Sequence, residues 1–188
     1  MKEHLKLVVI PTLICLVCTA ILAAVGALTQ APIAQTLTAR EQDAVRRVLP
    51  VGITAFEPFA IGSVTNFIAR DDQGRLTAAA VRGHSPNGYG GDITLMVGFR
   101  ADGGICDFEV IAATETPGLG SKIASPGFKA GIRGRPAGTR WFVKQDNGDV
   151  EAITAATISS RAALEAIRDA RTQFTAIQQS MKTQSATP

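Results

Sequence analysis

Hydrophobic and polar positions divide this chain into three stretches of different period. From Leu7 to Leu28 no charged residue occurs. Those roughly 22 residues, at 1.5 Å each, make about 33 Å of helix, enough to cross a bilayer core of roughly 30 Å. The run exceeds the roughly 7–15 apolar residues of a signal-peptide core, so a retained membrane-spanning helix is predicted. From Thr36 to Leu49, the positions Leu37, Ala44, Val45, Val48 and Leu49 recur at near-helical spacing, and Pro50 stops the run. A helix linking the span to the rest of the chain is expected there, with Arg40, Arg46 and Arg47 on a solvated face.

The middle of the chain alternates with a period of two. Val64–Ala69 and Leu76–Arg82 flank Asp71-Asp72-Gln73-Gly74, and Ile93–Phe99 and Ile105–Ala112 flank Ala101-Asp102-Gly103-Gly104. Trp141–Lys144 and Val150–Ile153 flank Asp146-Asn147-Gly148. Each is the signature of a hairpin, and three hairpins imply an antiparallel sheet. Ser125–Gly138, dense in Gly, Pro, Lys and Arg, reads as a loop.

From Ser160 to Met181 the period returns to helical. Leu164, Ile167, Phe174, Ile177 and Met181 form one stripe opposite Arg161, Glu165, Arg168 and Asp169, as expected of a helix packed on a sheet face. An Arg161–Glu165 pair on that helix would contribute only about 0.2–0.5 kcal/mol, so packing must hold it. The fold class predicted is α+β, with one N-terminal transmembrane helix and then an antiparallel-sheet domain with flanking helices. Its parts are an anchor at 1–30, a linking helix at 31–50, a globular domain at 51–182 and a flexible tail at 183–188.

Composition narrows the function. A net charge of +3, a pI near 9.0, and a single Trp and a single Tyr give no aromatic-studded basic groove, which argues against nucleic acid as a partner. Lys2 and Lys6 precede the span while Thr29–Thr38 carries no Lys or Arg. The positive-inside rule then puts the N-terminus in the cytoplasm and the globular part outside. Cys15 and Cys18 lie inside the span at i,i+3 and read as apolar fillers, and Cys106 stands alone as a strand thiol, so no disulfide framework is expected. His4 and His84 are far apart, and neither a nucleophile elbow nor a zinc cluster is present, so neither catalytic nor metal-ligating residues are assigned.

The chemistry concentrates in Glu151-Ala152-Ile153-Thr154-Ala155-Ala156-Thr157-Ile158-Ser159-Ser160, where a strand passes into a helix through small and hydroxylated residues. A helix N-terminus presents unpaired N–H groups and about half a positive charge, a ready site for phosphate. Thr154, Thr157, Ser159 and Ser160 offer hydroxyls that either bond such a phosphate or cap the helix, and Ala155 and Ala156 allow close approach to a ligand. From spacing alone, an ordinary Ser/Thr cap is the favoured reading of the segment.

Upstream, Glu115-Thr116-Pro117-Gly118-Leu119-Gly120-Ser121-Lys122 reads as a strand ending in a Pro-Gly turn, and Gly88-Tyr89-Gly90-Gly91-Asp92-Ile93 leads into an apolar strand. These three segments, in this order, resemble the covalent-FMN domain found in the G subunit of Rnf electron-transport complexes, which is related to the C subunit of the Na+-translocating NADH:quinone reductase. In that family an acidic residue, a Ser or Thr, a Gly, an Ala and a final Thr stand at fixed spacing, and the final Thr is esterified to the FMN phosphate. Here Glu151 stands for the usual Asp, Thr154 takes the hydroxyl place, Ala155 replaces the Gly, and Thr157 is the acceptor.

The resemblance implies FMN as cofactor, tethered to Thr157 by a separate flavin transferase that uses FAD and Mg2+. It implies cofactor contacts from Glu115, Thr116, Pro117, Gly118, Leu119, Gly120, Lys122, Thr154, Ala155, Ala156, Ile158 and Ser159. Backbone amides of the Glu115 loop and the Lys122 ammonium are then expected to favour a reduced, anionic flavin. The implied function is an electron-transfer subunit of an ion-translocating ferredoxin:NAD oxidoreductase (Rnf), with the other membrane subunits of that complex as partners. It would sit in a bacterial inner membrane with its domain in the periplasm, and have no complete activity alone. A quinone-reductase-type FMN domain and a non-redox anchored binding or scaffold protein are the rival readings.

Overall fold

The computed structural model describes residues 12–24, 40–53, 55–62 and 64–185. The chain divides at residue 40 into two units. In the first, residues 12–24 form an exposed helix that contains Cys15 and Cys18. Among the described residues no helix is long and apolar enough to cross a membrane, and both ends of the expected Leu7–Leu28 span lie outside them.

The second unit is built on a five-stranded antiparallel meander: β1 (Glu57–Ile61), β2 (Val64–Arg70), β3 (Leu76–Ser85), β4 (Ile93–Arg100) and β5 (Ile105–Ala113), paired in chain order. The first two expected hairpins form. At the β2–β3 turn, Asp71 accepts from the backbone N–H of Gln73 at 3.0 Å and of Arg75 at 2.8 Å. Those bonds hold its carboxyl below the ordinary range. Strand β1 is not among the predicted elements.

Alternation along the strands sends side chains to two cores. Ile68, Ala79, Val81, Leu95, Val97 and Phe99 face the larger one, and Ala69, Ala78, Ala80 and Met96 face the smaller. The linking helix, residues 40–48, covers the smaller core with Ala44, Val45 and Val48. A terminal helix, Thr157–Ser185, covers the larger with Leu164, Ile167, Phe174 and Ile177, the expected stripe. Phe174 stacks on Phe99 with ring centroids 4.7 Å apart. Each helix approaches the sheet tightly at a glycine. A Cβ on Gly83 would lie 2.0 Å from the Ala166 carbonyl, and one on Gly98 1.9 Å from that of Val48.

Three expectations are corrected. The third hairpin does not form, because a 3-10 turn at Lys144–Asp146 and a left-handed Asn147 leave only a single bridge between Val143 and Val150. Within Ser125–Gly138 a short helix, Pro126–Ala130, is capped by Ser125 and buries Phe128, with Ile132 beyond it, so this stretch is core as well as loop. Arg161 bonds Asp146 at 2.7 and 2.8 Å instead of Glu165. Glu165 accepts from Ser85 and Asn87, tying the terminal helix to the end of β3.

Candidate functional site

The turn that launches the terminal helix is fixed from inside. Ala155 has φ +63°, a left-handed conformation, and Ala156 N–H donates to the Ile153 carbonyl at 2.9 Å. Ser160 Oγ accepts from Ile153 N–H at 2.9 Å and donates to the Ala156 carbonyl at 2.9 Å. Ser159 Oγ donates to Glu115 Oε2 at 2.6 Å. Both serines are buried and engaged, so of the four hydroxyls expected to meet a phosphate or cap the helix only Thr154 and Thr157 remain without a hydrogen bond among the described residues. Thr157, half-buried, is the first residue of the terminal helix, whose first-turn amides have no intrahelical acceptors.

The Glu115 loop closes on itself. The Thr116 carbonyl accepts from Leu119 and Ser121 N–H, each at 3.2 Å, and a 3-10 helix at Gly120–Ala124 follows. Across from it, Thr114 Oγ1 donates to the Gly90 carbonyl at 2.8 Å, and Gly90 N–H donates to Glu115 Oε1 at 3.4 Å. Glu115 is 8% exposed and has no ion pair among the described residues. Glycines make room for it: a Cβ on Gly120 would lie 2.2 Å from Oε2, and one on Gly88 2.5 Å from Oε1.

Together the three segments enclose an open cavity of about 470 Å³, within the range of small-molecule sites. Glu115, Thr116, Leu119 and Gly120 form one wall, Ala155, Ala156, Thr157, Ile158 and Ser159 another, and Tyr89 the third. Pro117, Gly118, Lys122 and Thr154 do not line it. Lys122 is exposed, and Glu151, the acidic place of the motif, pairs with Lys144 at the surface at 2.5 Å. Tyr89 is the lining residue absent from the expected set. Its signal is the lone tyrosine inside a glycine cluster. Cys106 lies elsewhere, half-buried on β5, where burial pushes its thiol up.

The sequence pattern of the family described as FMN-binding domain matches residues 88–172, the stretch that contains all three walls. The G subunit of the ion-translocating oxidoreductase complex of Pseudomonas aeruginosa is 32% identical over 183 residues, covering 87% of this chain and 85% of that one. The chain belongs to this G-subunit family. Another member, the G subunit of the proton-translocating ferredoxin:NAD(+) oxidoreductase complex of Clostridium ljungdahlii, is 30% identical over 166 residues, covering 87% and 88%. Among solved structures, NqrC of Shewanella oneidensis aligns with a TM-score of 0.43 and 20% identity, over 60% of this chain and 61% of that one.

FMN is thus the cofactor of this domain, and the residues present fit it. The cavity has a lining of Gly120, Ala155 and Ala156 that leaves room for a flat ring system, and an apolar rim of Tyr89, Leu119 and Ile158, which are 69%, 42% and 48% exposed. An unengaged hydroxyl at a helix start stands beside it, where a phosphate is stabilised by the helix dipole and free amides.

Proposed function

We propose that this chain is the membrane-anchored flavin carrier of an ion-translocating ferredoxin:NAD oxidoreductase, with FMN bound covalently through Thr157. One observation carries the reading: of the hydroxyls in the motif, Thr157 alone both lines the cavity and is left without a hydrogen bond among the described residues. The phosphoester forms as the threonine oxygen displaces AMP from FAD and loses its proton, a transfer assigned to a separate flavin transferase with Mg2+. FMN supplies the redox chemistry, and the protein supplies position, electrostatics and partial exclusion of water.

The anchor is the uncharged Leu7–Leu28 stretch, and Lys2 and Lys6 before it set the N-terminus in the cytoplasm and the domain on the periplasmic side of the inner membrane. A covalent tether suits that location, because a dissociating cofactor would be lost there. Moving one charge across the bilayer involves about 2.3 kcal/mol per 100 mV. This chain has no charged residue in its span, so partner subunits provide the ion pathway.

The full-length chain matured with a flavin transferase should run as a flavin-fluorescent band on a denaturing gel, with the added mass of FMN on the peptide containing Thr157. Thr157→Ala should be dark, and Thr154→Ala should retain most of the signal. A fluorescent Thr157→Ala band overturns the acceptor assignment. A dark wild-type band favours the non-redox binding or scaffold protein.

A further inference from the structure

The cavity wall carries charge of the opposite sign to the one the motif suggests. Lys122, whose ammonium is expected from the motif to favour a reduced, anionic flavin, is exposed and does not line the cavity. Glu115 does line it, from a buried position. Its carboxylate receives two hydrogen bonds, from Ser159 Oγ at 2.6 Å and Gly90 N–H at 3.4 Å, and no Lys or Arg pairs with it among the described residues. A lone acidic side chain is ordinarily kept in water, because burying it without a partner is costly. Here the surroundings are shaped to hold it: Gly88 and Gly120 leave space that any side chain would fill, and two donors are aimed at its two oxygens.

Resting on the flavin reading above, we infer that Glu115 holds a fixed negative charge against the FMN cavity and thereby lowers the reduction potential of the cofactor. An electron delivered from a donor subunit into this cavity adds negative charge beside the carboxylate, and no bond forms or breaks. Repulsion between the two charges opposes that transfer. It acts through a wall where the effective dielectric constant is about 20 rather than the 80 of water. Glu115 is therefore a potential-setting residue, distinct from the tether at Thr157. Three backbone amides of its own loop are engaged elsewhere: Leu119 and Ser121 N–H point to the Thr116 carbonyl and Gly118 N–H to Ser121 Oγ.

The test is a spectroelectrochemical titration of the flavin in the loaded full-length chain. Glu115→Gln keeps the shape and removes the charge. It should raise the reduced-to-oxidised ratio at fixed applied potential tenfold or more, a shift of about 59 mV for a one-electron step. Glu115→Asp keeps the charge and should titrate close to wild type, whereas Lys122→Ala should leave the potential unchanged. An unchanged or lower potential in Glu115→Gln, or equal shifts in Gln and Asp, overturns the inference while leaving the tether intact. Where Glu115→Gln does not fold, Glu115→Ala decides. It removes the same charge with a smaller side chain and should raise the potential, and an unmoved potential counts against Glu115. Failure of the flavin reading is separate: the wild-type chain would then carry no flavin to titrate.

Discussion

Ser159 Oγ donates to Glu115 Oε2 at 2.6 Å, joining residues 44 apart in the chain across a buried contact. The bond fastens the first turn of the terminal helix to the end of the Glu115 loop, so it sets the distance between two walls of the cavity. Ser159→Ala leaves the buried carboxylate with only the long bond from Gly90. Loss of one partner of a buried charged group costs about 1–3 kcal/mol. In a chain of this size that lowers the melting temperature by roughly 2–12 °C. Thermal unfolding of the full-length chain in detergent measures it, and an unchanged midpoint would remove the bond from the contacts that hold the site.

Ala155 holds a left-handed φ of +63°, a conformation that glycine adopts without strain. A Cβ in this conformation costs roughly 1–2 kcal/mol, part of which is offset because glycine is more disordered when unfolded. Ala155→Gly should therefore stabilise the chain by about 0.5–1 kcal/mol, read as a higher denaturant midpoint with an unchanged slope. A lower midpoint would mean that the Ala155 methyl makes contacts worth more than its strain.

The local parts of this fold are legible in the sequence, and the parts fixed by distant contacts are not. The β2–β3 and β4–β5 turns carry Asp and Gly at the places the turns need, as in Asp71 accepting from Gln73 and Arg75 N–H. Trp141, Val143 and Val150 show the same alternation, yet a left-handed Asn147 turns the chain early, so that Val143 and Val150 meet in a single parallel bridge, and Arg168 Nη1 donates to the Trp141 carbonyl at 2.6 Å. Strand β1 is short, exposed and contains Pro58, so its pattern is weak. The linking helix shows its apolar stripe, but what covers that stripe is a sheet face of Ala69, Ala78, Ala80 and Met96, three of the four being small side chains with a weak apolar signal.

The site divides along the same line. Thr157, Ala155 and Ala156 are readable because hydroxyl and small residues at a strand-to-helix junction have a local physical meaning. The burial of Glu115 is not, since Glu before Thr-Pro-Gly looks like solvent-exposed loop and its enclosure depends on Gly88, Gly90 and Ser159 from two other segments. Lys122 is the converse case, a cation next to the motif in sequence and outside the cavity in space.

Gly83 marks a tight approach of the terminal helix to β3, with a Cβ there 2.0 Å from the Ala166 carbonyl and 2.9 Å from the Ala170 methyl. The struck atom is helix backbone, which cannot turn aside as a side chain does. Gly83→Ala should cost about 1–3 kcal/mol, toward the upper end of the usual range for overpacking. It should also loosen the helix that presents Thr157. Flavin attachment and the unfolding midpoint should fall together, and a variant that unfolds earlier but is fully flavinylated would separate helix docking from tether presentation.

Glu165 links stability to pH. Ser85 Oγ donates to its Oε2 at 2.7 Å and Asn87 Nδ2 to its Oε1 at 3.0 Å. These bonds favour the charged form and hold its pKa below the ordinary glutamate value, helped by the nearby positive charge of Arg168. The folded-state value thus lies under the unfolded one. Its contribution is complete above the unfolded value and disappears as pH falls through the depressed folded value. Glu165→Gln cannot ionise, so it should be less stable than wild type at neutral pH, and the gap should close as the pH is taken down past the carboxylate range. Denaturant midpoints of both chains between neutral pH and about pH 3, bracketing the carboxylate values, measure the gap, and a difference that stays constant with pH would show that Glu165 acts through shape rather than charge.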